Sequence, residues 1–557
     1  MDFEYYIDGE GRDEMGRRYF SVTLPESKIT VSLNTIIEEP ARLHKALTNA
    51  GMNCISPESK RAVINQFQEF RADEPDFRVA TKVGHFRNQF VLPGRVIGMS
   101  APRTVAVLDG LDLAMVAKYR TRGTLKQWQE QIAALAAGNS RLMFAIALAL
   151  TGPILAFIRG PRTGGFQISG AAETGKTTAA TVAGSVWGCH VGAERQEKGF
   201  AESWHTTAGK VEVTAMAHNN TLLILDETQR AGRDAAQRAR AIGDIAFALA
   251  EGMERERLTN SKSSRAWQTY FLSTSNQTFA EIAEAGNVEI DDAYLGRMFD
   301  IPCPDSPHGI YETIQEFRGG EQLSDALKRR CRQYFGTAGL AFARRVVVDR
   351  AKDRPALKRR LASYRASYRK ALRVALRKES LHSLTRTSSR LATVYAAGRL
   401  AIRYRILPWD QEDLLKAILD CQISSLRLQA NRATRGEPSE QELRRRLVGY
   451  LGRDHEFIDL ADGRPVRAFV SAVDPSGYIG TDDEAGWIYV TADKVDSIIG
   501  RGLNALSLKR RLQDEGNLKR ANQGGFVVQR KIYSGGKGNA NFAWVCAFNP
   551  ALVEGAG

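Results

Sequence analysis

Short runs rich in β-branched and aromatic residues punctuate the first hundred positions. Tyr19-Phe20-Ser21-Val22-Thr23, Ile29-Thr30-Val31-Ser32-Leu33 and Phe90-Val91-Leu92 predict strands. Between them, Val63, Ile64, Phe67 and Phe70 recur at helical spacing and predict a helix over 60–70. The pattern then changes. Thr124 reads as a helix cap and Gly138 as the stop of that helix; Asn139 or Ser140 opens the next. The following run, 142–158, is apolar for 17 residues, includes Gly152-Pro153 and barely reaches membrane-spanning length. It stands just ahead of an apolar strand, Phe166-Gln167-Ile168-Ser169, so it predicts a buried helix feeding a sheet. Thr221-Leu222-Leu223-Ile224-Leu225 and Tyr270-Phe271-Leu272 read as further strands of that sheet, buried on both faces.

From about 320 the pattern is helical, with later helices over 385–401 and 409–428. A polar linker ends at Gly436-Glu437-Pro438. Ser439 and Glu442 then form a capping-box signature. The tail combines a helix over 506–512 with strands over 526–532 and 542–548 around the glycine-rich turn 534–538. Helix followed by hairpin predicts a winged-helix-like end. The expected organisation is α/β in four parts: a small N-terminal α/β domain (1–120), a core of parallel sheet with flanking helices (121–320), a basic helical lid (321–432) and the winged-helix-like domain (439–557). There is no internal repeat.

Composition narrows the function. Of 557 residues, 43% are hydrophobic and 25% charged, as in ordinary soluble globular proteins. The net charge of +15 favours a polyanionic partner, nucleic acid first. Residues 341–380 hold 14 Lys/Arg against three acids. That run, with Tyr364 and Tyr368 interleaved, is either a polyanion-binding surface or a solvated amphipathic face. Six cysteines and eight histidines are dispersed without metal-ligand spacing, which predicts reduced thiols in a cytoplasmic chain. The acidic start, Met1-Asp2-Phe3-Glu4, predicts no signal peptide, and no membrane partner is expected.

The chemistry is concentrated after the strand at 166–169. Gly170-Ala171-Ala172-Glu173-Thr174-Gly175-Lys176-Thr177, followed by Thr178, fits G-x-x-x-x-G-K-[ST]. Such a loop turns successive backbone N–H groups toward a phosphate chain at a helix N-terminus. Lys176 would reach the β- and γ-phosphates of ATP, and the Thr177 hydroxyl would hold Mg2+. Asp226, 50 residues beyond Lys176, ends an apolar strand and is followed by Glu227. Asp226 is the expected second Mg2+ contact and Glu227 the expected general base for the attacking water. Asn276 ends the next strand and is either a water-orienting group or a turn residue. Arg297 is either an arginine finger toward a neighbouring subunit's ATP or a partner for Asp300.

These residues, in this order, resemble the domain-of-unknown-function 927 family of helicase-like ATPases of plasmids, phages and integrative elements. Val186-Trp187-Gly188, Glu202-Ser203-Trp204, Leu225-Asp226-Glu227, Ile301-Pro302, 334–339, 396–401 and Pro408-Trp409 carry the resemblance over about 10–430. The core is also similar to that of the minichromosome-maintenance helicases of the AAA+ class, through 248–254, a polar hairpin and the strand ending Ser275-Asn276. That similarity implies a homo-hexameric ring with ATP at subunit interfaces, Asn276 as sensor 1 and Lys262 on a pore hairpin facing DNA; a solvated loop lysine is the other reading. It places sensor 2 at Arg390 or Arg386 and strengthens the finger reading of Arg297. Gly-Arg-Met-Phe-Asp here replaces the other family's Ser-Arg-Phe-Asp. Lys509, Arg510 and Arg511 are the tail's nucleic-acid candidates, although winged helices also contact proteins.

The expected activity is an ATP-dependent DNA helicase or translocase acting on single-stranded or forked DNA during mobile-element replication. A separate primase or single-strand-binding protein would be a partner. The alternatives are an ATP-switched replication initiator or loader, and a non-unwinding defence ATPase.

Overall fold

The computed structural model describes residues 6–23, 28–32, 40–49, 56–70, 75–98, 103–107, 113–189, 199–253, 266–288, 296–379, 385–433, 438–452, 457–460, 464–465, 477–480, 486–500, 503–521, 525–533 and 540–554. The chain divides into two compact units, Met1–Ser425 and Leu426–Gly557.

In the first unit, strands β1 (Tyr6–Arg12), β2 (Arg18–Thr23), β3 (Lys28–Ser32), β4 (Phe77–Ala80) and β8 (Arg103–Ala106) form a sheet ordered β3-β2-β1-β4-β8. Strands β5 (Gly84–Phe86), β6 (Gln89–Leu92) and β7 (Arg95–Ile97) make a separate three-stranded meander. Helices α1 (Pro40–Asn49) and α2 (Pro57–Glu69) lie between β3 and β4 in sequence. The predicted helical spacing holds in α2: Val63 and Phe67 are buried, and the Phe67 ring packs 5.5 Å from that of Phe20. Ser56 caps α2 and Pro57 starts it, where a missing N–H costs nothing.

After α3 (Leu113–Lys118), Thr124 caps a helical stretch with a reciprocal Thr124–Gln127 box. A π turn at Gln129–Ala133 interrupts this stretch. Helix α4 (Ser140–Ala149) is buried along its whole length, and a 3-10 turn over Gly152–Phe157 completes the apolar run. Among the described residues no helix is long and apolar enough to cross a membrane.

The central sheet joins β9 (Gly164–Ser169), β10 (Glu202–Ser203), β11 (Leu222–Asp226), β12 (Tyr270–Ser275) and β13 (Met298–Pro302) in the order β10-β11-β12-β9-β13, every pair parallel. Alternate residues of β11 enter opposite cores. Leu222 and Ile224 pack with Val182 and Ala183 of α5 (Lys176–Ser185); Leu223 and Leu225 pack with Trp204, Ile242 and Phe271. Helices on both faces explain the unbroken apolar run in the sequence. Helices α6 (Ala208–Ala217), α7 (Ala235–Glu251) and α8 (Phe279–Ala285) fill the connections.

Four helices follow: α9 (Gly320–Gln333), α10 (Thr337–Glu379), α11 (Thr385–Arg403) and α12 (Gln411–Ala433). The basic run lies on α10, which is amphipathic. Val346, Leu357, Leu361 and Leu372 are buried, while most of its lysines and arginines are exposed. Here one expectation needs correcting. Tyr368 is fully buried and donates to Gln422 Oε1 at 2.6 Å, and Tyr364 packs against the core beneath Arg399. Both rings serve helix packing rather than an exposed stacking surface.

The second unit holds α13 (Glu440–Leu451), α14 (Ala492–Ile499) and α15 (Leu503–Asp514) with a six-stranded sheet. Its strands are β14 (Phe457–Asp459), β15 (Arg464–Pro465), β16 (Gly477–Ile479), β17 (Ile488–Thr491), β18 (Val528–Tyr533) and β19 (Ala540–Phe548). The predicted final hairpin is the antiparallel pair β18–β19, continued into a sheet through β17. Only half of the expected capping box forms. Ser439 Oγ accepts from Glu442 N at 3.2 Å, but the Glu442 carboxylate pairs with Arg445 and Arg446.

Candidate active site

The loop 170–175 leaves the C-terminal end of β9 and enters α5. Gly175 has φ +95°, a conformation that β-carbons disfavour, and a Cβ there would lie 2.7 Å from Ile310 Cγ2. Gly170 lies against Cys303, where a Cβ would come within 2.7 Å of Sγ. Two close approaches therefore hold the turn tight. No backbone N–H of residues 171–175 hydrogen-bonds another protein group among the described residues. These donors, at the mouth of a ten-residue helix, suit a phosphate chain.

Lys176 is only 6% exposed. Its Nζ donates to the Ala171 carbonyl and, at 3.3 Å, to Thr174 Oγ1. Burial pulls its pKa below the ordinary lysine value, while Cys303 and Asp226 act in the opposite sense. Thr177 is exposed at the first turn of α5, and Thr178 beside it is buried. Buried Ser169 Oγ, at the last position of β9, has no hydrogen-bond partner among the described residues.

Asp226 ends β11, and Thr274 Oγ1 donates to its carboxylate. The same hydroxyl accepts from Glu227 N at 3.2 Å, so Thr274 fixes both acids. Glu227 has φ +62°, and its half-exposed carboxylate pairs with Arg230 Nε at 2.5 Å. Asn276 is exposed just after β12, the strand between β9 and β11. Loop, Lys176, Thr177, Asp226, Glu227 and Asn276 thus all lie along one edge, the C-terminal ends of parallel strands, where ligands of open α/β sheets bind. Among the described residues there is no cluster of three metal-ligating side chains. A Mg2+ held by one hydroxyl, one carboxylate, phosphate oxygens and water requires none.

Arg297 and Arg390 occupy the opposite edge. Met298 pairs with Gly165 and Pro302 with Ser169, so Arg297 lies at the start of β9. Its guanidinium stacks 3.8 Å from the Phe247 ring centroid, and its carbonyl accepts from Gly165 N at 2.7 Å. Arg390, 3% exposed, packs against Gly164, where a Cβ would meet its Cζ at 2.5 Å. Five to six strand residues separate these arginines from the loop, about 16–20 Å at the usual rise. Neither approaches the loop of its own chain. Asp300 is engaged by Gln167 Nε2 at 2.6 Å and Phe279 N at 3.1 Å.

Residues 8–268 match the family described as "Domain of unknown function (DUF927)". The matched segment is a little under half of the chain. It contains the loop, Asp226 and Glu227, and it ends before Asn276, Arg297 and Arg390. No curated protein matches the chain in sequence. Among solved structures, one described as "SCCmec type IV Cch - active helicase" is similar over 99% of this chain and 94% of its own, with a TM-score of 0.56 and 15% identity. At that identity the likeness concerns the fold, which thus extends the architecture well beyond the matched segment.

The other candidates fall differently. Arg386 lies on α11, and its side chain is outside the described residues, as is Lys262 with its hairpin. Lys509 pairs with Asp496 at 2.7 Å and Arg511 with Glu440 at 2.8 Å; Arg510 is exposed. Lys509 and Arg511 are therefore held by acids of their own unit. Sequence reasoning missed Thr274, Cys303 and Arg141. The Arg141 guanidinium donates to Pro302 O at 2.8 and 2.9 Å and to Ser424 at 2.9 Å. Its signal was available, as a cation beginning an apolar helix. Cys303 had none.

Proposed function

We propose that the chain is an ATP-driven nucleic-acid motor, a helicase or translocase of the AAA+ class, assembled as a ring and serving replication of a mobile element. One observation carries the reading. The phosphate-loop edge and the arginine edge are opposite ends of one parallel sheet, so a complete site needs a second copy whose Arg297 meets this chain's loop. The all-parallel sheet with its loop at the C-terminal edge supports the AAA+ assignment, and the fold likeness to an active helicase supports the motor.

ATP with Mg2+ supplies the phosphoanhydride to be cleaved. The N–H groups of 171–175 bind its phosphates, and Lys176 exchanges the Ala171 carbonyl for phosphate oxygen. Thr177 and Asp226 would hold the Mg2+, which would draw charge from the phosphate oxygens. Glu227, once released by Arg230, takes the proton of the attacking water, which Asn276 orients. The neighbouring copy's Arg297 neutralises charge developing in transfer, and Arg390, buried and bonded to the Gly296 and Arg297 carbonyls, positions the turn that carries it. The exposed cations of α10 and the Lys262 segment meet the strand, and α15 with the β18–β19 hairpin acts as the winged-helix-like element.

The test is ATP hydrolysis with and without single-stranded DNA, combined with unwinding of forked DNA by wild type and Lys176→Ala. Stimulated hydrolysis and unwinding lost in the variant support the motor. Sequence-specific duplex binding that survives Lys176→Ala, without unwinding, points instead to the initiator or loader. Hydrolysis indifferent to any nucleic acid removes the motor reading.

A further inference from the structure

Helix α10 does not run straight. Asp353 leaves the helical region at φ −157°, ψ 89°, and Pro355 follows. Proline lacks an N–H and crowds the carbonyl four residues back, so it is tolerated in the first turn of a restarted helix. The second half restarts with Asp353 as cap, its Oδ1 accepting from Ala356 N at 2.8 Å. The bend opens a cavity of about 570 Å3 between the two halves of α10 and the end of α11.

The charges around this cavity are not balanced. Asp349 is already committed, since its Oδ2 accepts from Arg360 at 2.9 Å and from the Tyr404 hydroxyl at 2.8 Å. Asp353 is occupied as the cap and reaches Arg359 only at 4.0 Å. Arg345, Lys352 and Arg403 also line the cavity, and none has an acidic partner among the described residues. All three are exposed, whereas Leu357 is buried and closes the floor with the half-buried Tyr404 ring. Three uncompensated cations over an apolar floor suit a phosphate carrying an attached ring system.

We propose that the cavity at the α10 bend is a seat for the phosphate of a nucleotide unit, with Arg345, Lys352 and Arg403 holding the phosphate and the Tyr404–Leu357 floor supporting the sugar or base. A single-stranded nucleic acid and a free nucleotide both carry that group. The exposure of all three cations along an open side favours the strand. The seat rests on the motor reading only for this choice of source, because it lies outside the loop and the two edges of the central sheet.

The experiment uses the full chain. Anisotropy of a labelled oligo(dT) is followed over a range of KCl for wild type, Lys352→Ala/Arg403→Ala and the charge-keeping Lys352→Arg/Arg403→Lys. Losing two phosphate contacts is expected to weaken binding at least about tenfold and to lower the logarithmic salt slope by about 1.4. The charge-keeping variant is expected to retain the wild-type slope. A parallel titration with a fluorescent ATP analogue is made in the Lys176→Ala background. Residual saturable binding there, abolished by the double alanine change, would assign the seat to free nucleotide. Wild-type strand affinity and slope in a folded double alanine variant, with no such residual nucleotide binding, overturn the seat alone. So does equal loss in the charge-keeping variant. Wild type that binds neither the strand nor a second nucleotide overturns the seat and the motor together.

Discussion

A guanidinium nitrogen of Arg390 lies 3.4 Å from the backbone oxygen of Arg297, and the same side chain also donates to the Gly296 oxygen. Helix α11 is thereby tied to the turn entering β13, at the sheet edge remote from the phosphate loop.

This tie leads to a complementation experiment. Arg297→Ala and Lys176→Ala are each expected to reduce phosphate release by about 10³-fold or more. Mixed in one assembly, the two variants are expected to recover measurable hydrolysis, because some interfaces join an intact loop to an intact arginine. An assembled mixture no faster than either parent would rule out action between copies.

Glu227 and Lys176 should separate chemistry from binding. Glu227→Gln keeps the shape of the site and is expected to slow turnover by about 10²–10⁴-fold while nucleotide affinity by calorimetry stays near wild type. Lys176→Ala should lose affinity as well. Arg230→Ala removes a half-exposed ion pair, so its expected stability change is under about 0.5 kcal/mol. Wild-type turnover in Glu227→Gln would exclude that carboxylate as the base.

Gly175→Ala tests the loop's backbone. The added methyl meets Ile310 Cγ2 at 2.7 Å on a backbone with φ +95°. A loss of about 1–3 kcal/mol is expected, read as a lower Tm by calorimetry, together with weaker nucleotide binding. An unchanged Tm and affinity would mean that the turn does not require its glycine.

His85 makes stability depend on acid. Its ring nitrogens face the Pro153 carbonyl at 2.7 Å and Arg350 at 3.3 Å, and Phe90 and Phe157 pack edge-on against it. The carbonyl requires Nε2–H, leaving Nδ1 to accept from Arg350. Burial pushes its pKa down to about 4; the Pro153 bond pulls it upward, and the nearby Arg350 and Arg354 add smaller downward pushes. The unfolded chain therefore binds the proton first. The neutral ring's contribution is complete above about pH 6.5 and is lost as pH falls toward about 4. Across that window His85→Gln is expected to flatten the pH dependence of urea-unfolding free energy by about 1.4 kcal/mol per pH unit. Parallel profiles for the two proteins would contradict the buried neutral ring.

Much of the fold was readable because its signals are local. The strands at 166–169, 221–225 and 270–275 announce themselves as apolar runs. Caps such as Thr124 and Ser439 mark helix starts through their own hydroxyls. Tyr364 and Tyr368 were less legible. Their spacing among arginines suits an exposed surface or a packed face equally, and only the seat of α10 against α12 buries Tyr368. Thr274 resembled one more polar residue near a strand end until the β11–β12 register brought it to Asp226.

The sequence alone determined the phosphate loop, because eight contiguous residues carry both its donors and the glycine that lets it turn. It also determined that Asp226 and Glu227 end a strand buried on both faces. Tertiary structure decided what stands around them. Strand order and register depend on packing both faces of the sheet at once, and no local pattern encodes them. That packing set Thr274 on the acids and Cys303 against Gly170, and it carried Arg297 and Arg390 to the far edge, beyond reach of their own loop.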